Sequence, residues 1–569
     1  MRKENYNIVV TSKKIYYDKK CKNLFLKKSL FDSINQKSKK NNLINDYNIT
    51  NSYVKKNILF LKKKKSIYEK QLIKILNNYH NVHFNEKYWS IILDSWLVHV
   101  ISSIKIRLDE LSNLTKIKNK NNLSITENNK EYFFDNTSQL VSNIVVDDHF
   151  NQNFYSKIAK HLNISTTNNR KMPEGIVEVK SSKNRLFYVV KNLIYLYIHI
   201  FSPTLLIDSY FKNPFKYLVF SYGKVLILPS NILFSDSTVA LDLPFRKKIR
   251  IKERDYFDKI FNKFLKNFLP KSFLENYTFI KKDIDPIAKA AHKIGTAIGI
   301  HNSDHYKILG AELSTKKKKY LGFQHGGYYN CQTSSLVEDV EKRNSSKYYY
   351  WNNKKGLGLN YLPSFQKVSQ KQLRKNEKII LYMSFQKYYN VRFKYQMDYG
   401  DNYNNINQYF KFYDNLSETL KNYFVVKAVP SKTWWNSPKF WEDKYKGKVS
   451  VIKKTKSRQV LKIAKLFVSS QISTAFIEAL YSGIPIIMFT NLEEYSYKPN
   501  VKKLFNNLQN IGVIHRDPVR CAKFINNKYE NLIEWWNDVK IQKEIKKIRN
   551  ELFTEKKNYF TEIINELRK

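Results

Sequence analysis

Two stretches of the chain hold residues whose types and spacing can do chemistry. In "KYLGFQHGG" (319–327), His325 follows a short apolar run and precedes Gly326 and Gly327. An imidazole projecting from a strand end can take a proton from an attacking hydroxyl or donate a hydrogen bond to a phosphate oxygen. Glycines there permit positive φ and close approach of backbone. The competing reading is a structural histidine on a tight glycine turn. In "KLFVSSQISTAFIEALYSGIPIIMF" (465–489), a strand is expected to end at Ser469 and Ser470. Ser473 and Thr474 then open a helix that closes at Gly483. A helix start offers N–H groups without intrahelical partners and the positive end of the dipole, which together suit a phosphate. Glu478, one turn on, can accept hydrogen bonds from the vicinal hydroxyls of a sugar. The bland alternative makes Ser473 an N-cap and Glu478 a solvated helix residue.

A third group, "GIHNSDHYK" (299–307), places His301, Asn302, Ser303, Asp304 and His305 after another expected strand, where they can line the same crevice. No metal site is expected, because His301, Asp304 and His305 lack a supporting cluster with usual ligand spacing. The aromatic stripe of Tyr88, Trp89 and Trp96 in "YWSIILDSWLVH" and the pair in "EWWND" (534–538) read as packing anchors, whereas "WWNSPKFW" (434–441) is expected in a loop, with its rings open to stacking.

These groups must be positioned by elements. From about 215 to 330, short apolar runs alternate with helical segments, and after "GLGLNYLPS" (356–364) the alternation resumes as "KIILYMSF", "YFVVKAVP", "KVSVI", "KLFVSS" and "IPIIMF". Strands alternating with helices imply parallel sheets with right-handed crossovers, and ligands of such sheets bind beyond the carboxyl ends of the strands. Two doubly wound sheets facing a cleft follow. Ahead of them, about 66 to 112 repeats apolar residues at three and four spacing, which predicts two packed helices joined near Asn81. Residues 1 to 60 suggest an opening strand and a solvated loop, 113 to 150 a mobile polar loop, and 530 to 569 amphipathic helices that pack back across the domains.

Composition narrows the class. The chain of 569 residues carries a formal charge of +51, yet only fifteen of its 100 cationic residues are arginine. Lysine spread evenly along the chain does not favour specific nucleic-acid recognition, although it suits contact with an anionic membrane face. Three separated cysteines, Cys21, Cys331 and Cys521, do not indicate a disulfide framework, and the amino terminus lacks an export signal, so a cytoplasmic setting is expected. The most apolar window, 186 to 207, is broken by Lys191, Asn192, His199 and Pro203, and reads as buried helix and strand rather than a lipid span.

At these residues the sequence resembles a known family, the transferases of bacterial surface-polysaccharide (O-antigen type) gene clusters, first catalogued with leptospiral members. "YEKQLIKILNNYHNVHFNEKYWSIILDSWLVH", "LIDSYF", "FLPKSFLENY", "QHGGYYN" and "SKYYYWN" match family blocks in order, and "ISTAFIEALYSGIP" is similar to a Thr-x-x-x-Glu-Ala block shared with two-Rossmann (GT-B) glycosyltransferases. The resemblance implies an α/β, GT-B-like fold with an N-terminal helical insertion at about 66–165. Residues 1–360 would form the acceptor side and 361–569 the domain that binds a nucleotide-sugar. By position, Ser473, Thr474 and Glu478 would hold the donor, with Gln324, His325, Gly326 and Gly327 facing it across the cleft. The chain departs from the pattern at Tyr328, Tyr329 and Asn330, where another glycine is expected, and at Lys427, where the family tends to show arginine. Lys427 and the helix dipole would then take the place of a metal, so no cofactor is expected beyond the nucleotide-sugar co-substrate. The implied reaction is sugar transfer onto a glycan or lipid-linked acceptor, with peripheral contact at the inner membrane. The alternatives are polyol-phosphate transfer from a CDP-linked donor, and a non-enzymatic basic protein that binds membrane surfaces or nucleic acid.

Overall fold

The computed structural model describes residues 5–11, 13–18, 20–26, 41–43, 50–168, 185–211, 213–235, 237, 239–352, 360–362, 378–383, 389, 393, 402–428, 437–453, 455, 457–554 and 559–569. Its strands form three sheets, every pairing parallel. The first holds β1 (Tyr6–Val9), β2 (Lys22–Phe25), β3 (Asn41–Leu43), β4 (Leu123–Glu127) and β5 (Ser165–Asn168) in the order β3-β2-β1-β4-β5. The second holds β6 (Thr204–Ile207), β7 (Val225–Leu228), β8 (Lys293–Thr296), β9 (Lys319–Phe323), β10 (Lys347–Tyr350) and β11 (Asn360–Tyr361) in the order β11-β10-β9-β8-β6-β7. The third holds β12 (Lys378–Tyr382), β13 (Phe424–Lys427), β14 (Ser450–Ile452), β15 (Ala464–Ser469), β16 (Ile486–Phe489) and β17 (Ile514–His515) in the order β14-β13-β12-β15-β16-β17.

The second and third sheets are the pair of doubly wound, Rossmann-like sheets expected of a GT-B-like fold. In each, the strand order reverses direction part-way, which opens a crevice at the carboxyl ends. All five runs singled out after residue 377 form β12 to β16, because runs buried on both faces read as continuous apolar stretches bounded by turns.

The first sheet was not expected. Residues 113–150 do not form a mobile loop: β4 and the helices Thr137–Val146 and Asp148–His161 lie there. The polar residues that suggested a loop are spent on caps, with Asn136 and Asp147 accepting from Gln139 N and Phe150 N. Between β3 and β4 run the helices Asn51–His80 and Glu86–Ile117, joined at Asn81 in the left-handed region with φ 51°. Trp89 and Trp96 are fully buried in them. Asn77 turns the corner, accepting from Trp89 Nε1 at 2.7 Å and donating to Phe84 O at 3.0 Å.

The window 186–207 divides. β6 is buried, as expected, but the helix Arg185–Phe201 is not: Leu193, Leu196 and Ile200 face solvent. At the other end of the chain, the helix Tyr559–Arg568 returns to the second sheet. There Leu567 O accepts from Thr204 Oγ1 at 2.7 Å, and Glu566 meets Lys347 and Tyr349.

Candidate active site

β9 ends where its ladder with β10 is closed by Gln324 N, which donates to Tyr349 O at 2.9 Å. The Gln324 side chain is buried and used on both ends: Nε2 donates to Gly326 O at 2.9 Å and Oε1 accepts from Trp351 N at 3.0 Å. Both ends of the Gln324 side chain are thus engaged in shaping the loop. A side-chain amide bonded within its own loop fixes the backbone that follows, and the next residue is His325.

The His325 ring is half-buried above a carboxylate that sequence reading did not single out. Glu341, on the helix Leu336–Arg343, is buried, with Oε1 at 3.8 Å from His325 Nδ1 and 3.2 Å from His301 Nε2. Tyr329 donates to the same oxygen at 2.9 Å and Tyr348 to Oε2 at 2.8 Å. The Tyr329 hydroxyl also lies 3.2 Å from His325 Nδ1, and Ser95 Oγ lies 3.0 Å from His301 Nδ1. Burial raises Glu341 to about 7, against the opposing pull of His325 and the two tyrosine hydroxyls. A buried carboxylate poised near neutrality beside a histidine at a crevice is the arrangement expected of acid–base machinery. Tyr210, in the loop after β6, completes the rim with its ring 6.1 Å from that of His325. Tyr210, His301 and His325 thus follow three adjacent strands, β6, β8 and β9. Glu341 escaped notice because it sits on a charged helix, "LVEDVEKR", whose inward carboxylate has no local signature.

The two glycines act through proximity, not through positive φ, which neither adopts. A Cβ on Gly326 would lie 3.0 Å from the Tyr328 and Tyr329 rings. One on Gly327 would lie 2.7 Å from both Ser473 O and Ile477 Cδ1. The His-Gly-Gly loop of the second sheet is thereby seated on the first turn of the helix Thr474–Ser482 of the third. Nearby, Gln332 and Tyr497 form an antiparallel bridge and Thr333 N donates to Ser496 O at 2.8 Å, fastening the two halves. Asn330, in the left-handed region with φ 61°, bonds Lys498 through Oδ1 and Glu338 Oε2 through its N–H at 3.0 Å.

Ser473 is the N-cap of that helix, accepting from Phe476 N at 3.2 Å, which leaves the N–H groups of Thr474 and Ala475 ahead of any intrahelical partner. Glu478 is buried along the helix, not solvated. Ser470 Oγ lies 2.5 Å from the Tyr409 hydroxyl.

Other residues assigned to the cleft are placed differently. Lys427 is buried at the end of β13, its ammonium donating to Ala428 O at 3.2 Å and Lys453 O at 3.0 Å, and burial lowers its pKa. It is no free charge clamp. Asp304 is buried under the helix Thr137–Val146: Lys307 Nζ and Ser272 Oγ each lie 2.5 Å away and Thr137 N 2.8 Å. Against the cost of burial, these partners hold its carboxyl below the usual range. Ser303 is an N-cap accepting from Tyr306 N at 3.2 Å, and Asn302 is exposed, so only His301 of this group joins the site. His305 stacks on Phe234. Among the described residues no group of three His, Cys, Asp or Glu side chains is arranged as a metal-binding set. Trp441 is buried and Trp536 Nε1 donates to Gly483 O at 3.1 Å, whereas Trp434 and Trp435 lie outside the described residues.

The match that decides family membership runs from residue 6 to residue 567, and it is to the model described as LIC12162 family transferase. The chain belongs to the LIC12162 family of transferases. For this family member no curated relative matches. Among solved structures it is similar to MurG of Acinetobacter baumannii, with 9% identity, 64% of this chain and 98% of that chain covered, and a TM-score of 0.33. UGT2 of Phytolacca americana, complexed with UDP-2fluoro-glucose and pterostilbene, gives 9% identity, 64% and 98% coverage and 0.33. The glycosyltransferase SnogD of Streptomyces nogalater gives 8% identity, 62% and 95% coverage and 0.32. At such scores the likeness carries no inference about the chemistry of this LIC12162 family transferase.

Proposed function

We propose that this transferase moves a sugar from a nucleotide-sugar donor onto a hydroxyl of a surface glycan, of the lipopolysaccharide, O-antigen or capsule type. One juxtaposition supports the reading: His325, backed by Glu341, stands two residues from the contact between Gly327 and the first turn of the Thr474–Ser482 helix. A proton acceptor thus lies two residues along the loop from a helix start suited to a leaving phosphate.

In this mechanism the imidazole of His325 takes the proton of the acceptor hydroxyl, and Glu341 stabilises the imidazolium that forms. The acceptor oxygen bonds to the anomeric carbon as the bond from that carbon to the phosphate oxygen breaks. The electron pair leaves on the nucleoside diphosphate, whose charge the helix N–H groups meet. Thr474 and Glu478 lie on the donor side, and His301 shares Glu341 with His325 from the acceptor side. The helix dipole does the work of a divalent cation, so turnover is expected to survive EDTA. Lost turnover restored by Mg²⁺ would contradict that. The reaction is placed at the cytoplasmic face of the inner membrane, on a glycan or lipid-linked acceptor.

The test begins with thermal shift against UDP, CMP, GDP and dTDP sugars, since a bound donor raises the melting temperature by mass action. Transfer is then followed with the donor that binds. A product joined by a glycosidic bond supports the reading, and a phosphodiester in the product would replace it with polyol-phosphate transfer.

A further inference from the structure

One side of the Arg185–Phe201 helix is anchored by polar contacts to the elements beneath it. Lys191 pairs with Asp283 and donates to Ser235 Oγ at 2.6 Å, and Tyr195 donates to Asp283 O at 2.8 Å. On the opposite side Val189, Leu193, Leu196 and Ile200 recur at spacings of four, three and four, a single outward stripe. Leu193, Leu196 and Ile200 are 62%, 55% and 63% exposed. The stripe continues across the end of the helix. Tyr197 stacks on Phe201 and donates to Gly223 O at 2.7 Å, and Lys224 Nζ donates to Phe201 O at 3.1 Å. That contact joins it to the helix Pro214–Phe220 and its following turn, where Phe215, Val219, Phe220 and Tyr222 are also exposed, Phe215 at 74% and Tyr222 at 79%. The result is two runs of large exposed apolar side chains joined at the Gly223–Lys224 turn that leads into the edge strand β7. A monomeric protein rarely presents such a band to water.

Charge says what covers it. From residue 185 to residue 235 the sequence has one acid, Asp208, and Lys216 and Lys224 are exposed cations, whereas Lys191 is spent on Asp283. Lys216 lies within the exposed band, and the Arg568 guanidinium sits 5.5 Å from the centre of the Tyr222 ring. A second copy in a symmetric contact would set Lys216 and Lys224 against their own counterparts. An anionic lipid leaflet presents the opposite charge, accepts the aliphatic side chains at its acyl boundary and suits tyrosine rings at the headgroup level. No helix among the described residues is long and apolar enough to cross a membrane, so the band would lie on the bilayer and not span it.

We infer that the apolar band formed by the 185–201 and 214–222 segments docks this protein on the surface of an anionic lipid bilayer. Phe215 follows Tyr210, at the rim of the His325 site, by five residues. Docking therefore holds the crevice beside the lipid surface, where a lipid-linked acceptor lies. That consequence rests on the glycosyl-transfer reading. The docking does not, because it is read without donor or turnover.

The experiment is cosedimentation of the full chain with vesicles of phosphatidylglycerol and phosphatidylcholine, and with phosphatidylcholine alone. Wild type is expected to pellet with the anionic vesicles and to remain in solution with the neutral ones. Leu193→Glu/Leu196→Glu, at exposed positions, is expected to weaken binding at least about tenfold with an unchanged melting temperature. Lys540→Glu/Lys546→Glu, on the remote Val539–Leu552 helix, removes more positive charge and is expected to keep most of the binding. Three results overturn the inference: no binding of wild type to anionic vesicles, equal loss in both double variants, or a lipid-free dimer that Leu193→Glu/Leu196→Glu converts to monomer.

Discussion

His325 and Glu341 divide one task between exposure and burial. The imidazole reaches the crevice; the carboxylate beneath it is withdrawn from water and held by Tyr329 and Tyr348. Replacing His325 by alanine is expected to lower kcat by about a hundredfold to ten-thousandfold with the fold intact, in a transfer assay paired with a melting curve. Undiminished turnover would remove His325 from the chemistry. Glu341 acts through His325, as a positioning residue, and its signature is pH. With Glu341 at about 7, the charged form that supports the imidazolium accumulates as pH rises through neutrality, so the rising limb of kcat/KM is expected to centre near 7. Stability runs the other way. A carboxyl raised above its unfolded value contributes stability below that value and loses it as pH climbs through 7. Glu341→Gln is therefore expected to be inactive or nearly so, to lose the rising limb, and to gain about 1–3 kcal/mol over wild type by pH 8 in urea titrations. A variant less stable than wild type at pH 8 would mean that Glu341 serves only to hold the fold.

At the scale of elements, the contact between a loop of the second sheet and a helix start of the third fixes the crevice. Gly327→Ala places a methyl against the Ser473 carbonyl, a backbone atom that cannot swing aside. The expected cost is about 1–3 kcal/mol of stability together with a raised KM for the donor. The equivalent change at Gly326 meets tyrosine side chains instead, and is expected to be milder in both measurements. Ser473→Ala removes the cap on Phe476 N and is expected to cost about 1 kcal/mol by chemical denaturation. If donor KM also rises, the helix start and the nucleotide are coupled; unchanged donor binding would confine Ser473 to capping.

At the scale of the whole molecule, the last helix fastens the halves on the far side from the crevice loop. Although burial opposes it, the bonds from Lys347 and Tyr349 hold Glu566 down at about 2. Its stabilising contribution is present above the ordinary carboxylate range and lost as pH falls through it toward 2. Ile563, Ile564 and Leu567 are buried beside it. Deleting residues 559–569 is expected to cost about 4 kcal/mol or more, seen by calorimetry as a lowered melting temperature. An unchanged transition would show that the helix contributes nothing to the join.

The chain by itself determined the local order of this protein. Apolar runs bounded by turn residues specified β12 to β16, the break at Asn81 specified the helix pair, and Ser473 to Gly483 specified a capped helix, because these depend on neighbours in sequence. Of the first sheet only an opening strand was legible, since β2 and β3 are short and polar residues around β4 serve as caps, which mimic a loop in composition. Site membership was decided by tertiary contacts alone. Packing set Asp304 against Ser272 and Thr137, turned the Lys427 ammonium onto carbonyls and brought Glu341 under His325. Packing also left the Leu193 stripe on the surface, where the same apolar residues read as core. A sequence records what a side chain is; which charge is buried with a partner, and which apolar face finds none, depends on elements far apart in the chain.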